Sequence, residues 1–500
     1  MKTLPLAIWA MVIGAFAMGA DEFIVAGVVR EIAEDLGVTY GQVGALESVY
    51  ALGVAIGAPV FTAIGTKFGR RSMLLLTTAV FLLGNTLSAL GPGYELIMAG
   101  RVVSATAHGA FLGIAAVFAA ELVDATRKGR AVAIVFSGLT ASTVLGAPLG
   151  AAVGQAFGWR FTFWTLVIFG GIALLGLLTS LPRTAKQVAH TADAHHHPHE
   201  SVEAHAHQSA GGHGLVEHID NPAASHGHDH ASPAPGSEFE GLDAHALAHL
   251  GGGGHGPTLR EQLTALTRPA VWGALLTTLL GYGGVFTSFV YLAPQFTEVT
   301  GFDAAWITPL LLLFGAGLFV GNALGGKLAD KAIMPTVLGT LAALAVVLFA
   351  MTFAIQNPIA AVVMTFVFGV TAFSVVAPLQ LRVMSAAGHA PDVASAANIS
   401  AFTLGSAIGI SLGGAAIDGG LGLASVNWIG GLITTTGLVI AAVTWALLDR
   451  RTASKPHDHG HTDDHGHRTE TSGAADDHSN AAVQPEPVGA AHGHEAHHHH

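Results

Sequence analysis

Apolar runs long enough to cross a bilayer recur from Leu4 to Leu448, and nothing else in the chain constrains its fold as strongly. A span needs roughly 20 such residues. Breaks at Gly, Pro and charged residues divide the runs into twelve helices, expected at about 5–29, 42–64, 73–91, 95–119, 131–154, 161–181, 269–293, 304–326, 335–355, 358–379, 394–417 and 426–448. Charged residues agree: they make up 11% of the chain, against about a quarter of a soluble one. The first run carries Asp21 and Glu22 and has no small-residue cleavage site, so it reads as a retained span. The expected organisation is a six-helix bundle over 1–183, a loop over 184–257, a second six-helix bundle over 258–450 and a tail over 451–500.

The formal charge of −12 does not belong to the membrane part. Residues 185–257 and 452–500 together hold 17 Asp/Glu against 3 Lys/Arg, a net −14, which leaves +2 for the rest. No basic surface remains for nucleic acid. With no cysteine there are no disulfides, thiolate ligands or cysteine nucleophiles. No nucleophile–base constellation or phosphate-binding loop is visible, so an enzyme is not expected. Cations set the expected orientation. Eighteen Lys/Arg fall on the side of the N-terminus, only Arg30 and Arg160 on the other, and Arg101 within a span, which places both termini and the central loop in the cytoplasm.

A shift of 264 residues reveals an internal repeat. The turn Thr62-Ala-Ile-Gly-Thr-Lys-Phe-Gly-Arg-Arg71 overlies Gly326-Lys-Leu-Ala-Asp-Lys331, whereas Gly19-Ala-Asp-Glu-Phe23 overlies the uncharged Gly283-Gly-Val-Phe-Thr287. The fold is duplicated and its ionisable chemistry is not. Twelve spans in two halves joined by a long loop resemble the major facilitator superfamily. That family's turn after spans two and eight is kept in pieces: Lys67, Gly69, Arg70 and Arg71 in the first half, Gly326, Asp330 and Lys331 in the second. Arg101 with Ala107-His-Gly-Ala-Phe111, Gly146-Ala-Pro-Leu-Gly150, Gly158-Trp-Arg-Phe-Thr-Phe-Trp164 and Asn398-Ile-Ser-Ala-Phe402 make the chain similar to drug:proton antiporters of the arabinose-efflux-permease-like and chloramphenicol-efflux-like kinds. The resemblance implies a multi-pass protein of the bacterial inner membrane, acting as a monomer on a small-molecule substrate and protons, without a cofactor.

An ionisable group within a span costs roughly 2.5–3.5 kcal/mol at a helix centre and is a functional hypothesis by default. The first half has Asp21, Glu22, Glu47, Arg101 and His108. At about 1.5 Å per residue, Asp21 and Glu22 lie at the depth of Arg101, and Glu47 reaches a similar layer. Arginine keeps its charge, so it needs a carboxylate there. A carboxylate alternating between that pairing and protonation suits proton coupling; the alternative is a static helix clamp. Adjacent acids point about 100° apart, so only one of Asp21 and Glu22 can face Arg101 squarely, and Asp21 is favoured. His108, two turns below Arg101 on the same face, reads either as a relay or as a neutral packed histidine.

In the second half the family's cavity-lining spans make Tyr282, Ser288, Tyr291, Thr371 and Ser374 substrate-side candidates, with helix-interface hydrogen bonding as the alternative. Gly146, Pro148 and Gly150 suggest a kinked gating helix packed closely on a neighbour, although the family's Gly-Pro pair is here Ala147-Pro148. The basic turn should clamp helix ends through Glu121, Asp124 or Asp330.

Of 29 histidines, 15 lie between His190 and His255 and 12 between His457 and His500. Both segments are too poor in aliphatic residues to bury a core and should be disordered. Runs such as His195, His196, His197 and His199, and His457, His459, His461, His465 and His467, could loosely bind Zn, Ni, Co or Cu. Export of a small organic solute, drug-like or sugar-like, in exchange for protons is the leading expectation. Proton-coupled export of a divalent transition metal such as Ni, Co or Zn is the alternative.

Overall fold

The computed structural model describes residues 5–65, 69–124, 127–181, 264, 266–388 and 391–449. Lys67 and both histidine-rich segments, with the expectations made for them, lie outside these residues. Among the described residues every regular element is helical. The first half comprises α1 (Leu6–Phe23), α2 (Val29–Leu36), α3 (Tyr40–Gly65), α4 (Arg70–Leu90), α5 (Tyr94–Glu121), α6 (Lys128–Phe157) and α7 (Arg160–Ser180). The second comprises α8 (Pro269–Phe289), α9 (Ile307–Lys331), α10 (Ile333–Ala354), α11 (Pro358–Ser374), α12 (Val376–Ala387), α13 (Pro391–Ala416) and α14 (Ser425–Thr444).

Eleven of these are long and apolar enough to cross a membrane when α11 and α12 are counted as one. The 26-residue α3 makes the twelfth span, about 39 Å at 1.5 Å per residue. Large apolar side chains such as Leu83, Ile168, Phe353 and Ile359 are exposed on the outside of the bundle, as a hydrocarbon solvent requires. The molecule is a multi-pass membrane protein.

Three details differ from the apolar pattern. The first span does not run to residue 29: α1 ends at Phe23, tightens into a 3-10 turn at Ile24–Gly27, and a separate amphipathic helix α2 follows. Val29, Ile32 and Ala33 bury one side of α2, Arg30 pairs with Glu34 one turn on, and Gly37 ends the helix at φ 62°. The tenth span is broken at Val375 and continues as α12 to Ala387, past Arg382. The eighth extends beyond residue 326 to Lys331, because a helix goes on satisfying its own backbone after the apolar stretch has ended.

The 264-residue repeat is a repeat of architecture. Shifted by 264, α5 lands on 358–385 and α4 on 334–354, over α11–α12 and α10. Packing repeats with it: α1 lies against α6 and α7 as α8 does against α13 and α14, and α3 lies against α5 as α9 does against α11. The halves meet through α3 with α13 and α6 with α9, themselves repeat-related pairs.

Pro148 sits inside α6, which runs without a break from Lys128 to Phe157. The expected close approach is present: a Cβ on Gly150 would collide with the Ile24 carbonyl, and one on Gly146 would press on Phe23. At one end of the bundle Arg70 of the basic turn forms an ion pair with Glu121, while Asp124 and Asp330 are exposed.

Candidate functional site

Four helices of the first half converge on Arg101. The Gly91–Gly93 turn starts α5, and Arg101 follows about two turns in, fully buried. Its Nη1 donates to the Asp21 carboxylate on α1 and, at 3.0 Å, to the Asp21 carbonyl oxygen. Its Nη2 lies 2.9 Å from Glu47 Oε2 on α3. That contact is an ion pair, and among the described residues Arg101 Nε and Glu47 Oε1 have no hydrogen-bonding partner. Asn85 on α4 donates to the other Asp21 oxygen at 3.0 Å. Beneath the guanidinium lies the Tyr50 ring, 4.0 Å from Arg101 Cζ to its centroid.

Of the five ionisable residues expected here, Asp21, Glu47 and Arg101 form the cluster. His108 forms no hydrogen bond with Arg101 among the described residues; its Nδ1 lies 3.1 Å from the Tyr50 hydroxyl. Glu22 forms no ion pair among the described residues and is partly exposed. Tyr50 and Asn85 are absent from the sequence reading. Tyr50 could have been found one turn along α3 from Glu47, on the same face; Asn85 offered only the signal of an amide in mid-span.

The repeat makes the asymmetry explicit. Under the 264 shift Asp21, Glu47, Tyr50, Arg101 and His108 fall on Val285, Leu311, Phe314, Thr365 and Ala372. Four of the second half's five substrate-side candidates are tied up within or between helices. Ser288 donates to Asn427 at 2.5 Å and Tyr291 to the Ile410 carbonyl at 3.0 Å, while Thr371 and Ser374 donate to carbonyls of their own helix. Membrane helices satisfy hydroxyls this way when no water is at hand. Tyr282 keeps its hydroxyl free of a protein hydrogen bond among the described residues, its ring edge-on to Phe402 at 4.8 Å. Phe286 and Phe289 reach across from the same helix to Phe23 on α1.

The end of the bundle that carries α2 is held closed across the halves. Thr39 donates to Asp418 at 2.9 Å and the Gly41 N–H to the same carboxylate at 3.4 Å. Tyr40 donates to Glu298, and Ser411 to Ser48 at 3.0 Å. All four contacts join the α3 region to the second half. The site thus combines an ion-pair cluster in one half, aromatic side chains reaching over from the other and a seam of hydrogen bonds across one end.

The chain belongs to the Major Facilitator Superfamily, whose family model matches residues 11–410. It is 34% identical to the inner membrane transport protein YdhP of Escherichia coli K12, over 86% of this chain and 94% of that protein. It is 31% identical to a chloramphenicol resistance protein of Streptomyces lividans, over 88% and 96%, and 26% identical to the putative transporter AraJ of E. coli K12, over 83% and 88%. Neither the fold nor these relatives favours metal export. Among the described residues no three metal-ligating side chains come together.

Proposed function

We propose that the chain exports a small organic solute in exchange for protons, by alternating access between its two halves. The observation that carries the reading is Arg101 held between Asp21 on α1 and Glu47 on α3. Arginine stays charged throughout, so protonating either carboxylate releases one helix from the other and changes how α1 and α3 pack on α5. Glu22, Tyr282 and Phe286, brought in from both halves, contact the solute. His108 acts beside the cluster. The likeness to a chloramphenicol resistance protein supports export as the direction, because resistance follows when a compound is expelled.

The test is reconstitution in liposomes under an imposed pH gradient, with chloramphenicol as the first probe and a panel of neutral, cationic and sugar-like solutes beside it. Gradient-driven movement of at least one solute is expected, with loss of uphill movement in Asp21→Asn and retention of downhill exchange. Full gradient-driven transport in both Asp21→Asn and Glu47→Gln would remove the cluster from the mechanism. Both termini are proposed to be cytoplasmic. A thiol at Gln356 should then react with an impermeant reagent outside intact cells and one at Ala332 should not; the opposite pattern inverts the orientation.

A further inference from the structure

Tyr50 lies between Arg101 and His108, yet the ion pairs do not require it. Its ring lies against the Arg101 guanidinium, and its hydroxyl oxygen is 3.1 Å from His108 Nδ1 and 3.2 Å from the Met18 carbonyl oxygen on α1. A phenol has one proton to donate and can also accept. When His108 Nδ1 carries no hydrogen, the hydroxyl donates to it. When Nδ1 carries one, the imidazole donates to the hydroxyl, whose own proton turns to the Met18 carbonyl. Met18 lies three residues before Asp21 on α1, so the reversal makes or breaks a bond between α3 and the helix that holds the carboxylate.

We propose that Tyr50 is a positioning residue through which the protonation state of His108 acts on the Arg101–Asp21–Glu47 cluster. The inference rests on the proton-coupled reading above and gives His108 a defined route into it. The hydroxyl's two partners lie on α1 and α5, and its ring fixes the face of the guanidinium. A change at His108 therefore reaches Arg101 and the α1 backbone together.

Other charged groups surround the pair: Arg101 on α5, Glu47 on α3, and Asp21 and Glu22 on α1 all act on Tyr50. Their titration has to be separated from that of His108. Substituting His108 does this, because His108→Asn keeps an amide near the position of Nδ1 and has no titratable proton.

Nuclear magnetic resonance of the full-length chain tests the link without any solute or gradient. Carbon-13 at Cζ of tyrosine gives five signals, one for each tyrosine, and Tyr50 is assigned by its loss in Tyr50→Phe. Arginine labelled at Cζ gives Arg101, assigned by its loss in Arg101→Lys. Between roughly pH 3 and 9, a window wide enough for a buried histidine whose pKa lies several units from the usual 6.5, the Tyr50 and Arg101 signals should share a step. The step should vanish from both in His108→Asn, and from Arg101 in Tyr50→Phe, which keeps the ring and lacks the hydroxyl. His108→Gln replaces the Asn variant if the latter is not monodisperse in detergent.

A Tyr50 signal that does not move, or a step that survives in His108→Asn, overturns the proposal. So does an Arg101 step unchanged in Tyr50→Phe. A chain with the linked step that moves no solute against a pH gradient would sink the transport reading and leave the link standing. Gradient-driven export without the step would do the reverse.

Discussion

Arg101 cannot shed its charge, so its neighbours, not its own titration, decide what it costs to bury. Truncating it strands the carboxylates of Asp21 and Glu47 in a dry site, which destabilises a protein by about 3–5 kcal/mol. Arg101→Lys leaves a cation for one of the two acids. Thermal unfolding in detergent should therefore rank wild type above Arg101→Lys and Arg101→Lys well above Arg101→Ala; equal melting of the two variants would mean that water already reaches the cluster. The depth match between Asp21 and Arg101 was legible in the sequence because helical rise per residue is nearly constant. Asn85 and Tyr50 were not, since the side chain that meets a given atom depends on how far each helix is rotated about its axis. That rotation is set by packing partners distant in the chain.

At the scale of the elements, close contact between α6 and the 3-10 turn that follows α1 depends on Gly150, which lies under the Ile24 carbonyl with no room for a Cβ. Gly150→Ala should cost about 1–3 kcal/mol as overpacking, visible as a lower melting temperature, whereas no change would show that α1 can shift away freely. α2 is tied to α7 by Asp35, which accepts from Arg160 Nη1 at 2.5 Å and from Trp159 Nε1 at 3.1 Å. The Arg160 hydrogen bond holds the Asp35 carboxyl below its ordinary range. A depressed folded value stabilises the protein above the unfolded value of about 3.9, and the gain is lost as pH falls through the folded value. The penalty of Asp35→Asn should accordingly be largest near neutral pH and shrink below about pH 4; a penalty that does not vary with pH would assign the effect to packing. The apolar runs could not announce α2, because eight residues with three buried positions are too short a pattern to separate from a loop. The break at Val375 was equally hidden inside an unbroken apolar stretch.

For the whole molecule, the seam at the α2 end must part if the two halves rock about a central site. Ser48→Cys with Ser411→Cys replaces the 3.0 Å hydroxyl contact in a chain that has no other cysteine. Mild oxidation should cross-link the pair and stop transport, and reduction should restore it; undiminished transport by the cross-linked form would rule out opening at that end. The histidine segments are expected to hold Ni or Zn loosely at pH 7.5 and to lose it below about pH 6.5, since neutral imidazole is the ligand. Metal analysis of the full chain at both values checks this, and no bound metal at pH 7.5 would reduce those segments to spacers. By itself the sequence determined the twelve spans, the duplication and the placing of the buried carboxylates in the first half, because hydrophobic length and charge cost in a bilayer depend on composition and not on partners; it did not foresee that Arg382 of the second half is buried on α12. Only the tertiary structure decided that Asp21 and not Glu22 pairs with Arg101, that Tyr50 lies between Arg101 and His108, and that Ser288 and Tyr291 donate hydrogen bonds to neighbouring helices. Those outcomes depend on which helix faces meet, and the meeting is settled by the packing of all twelve spans at once.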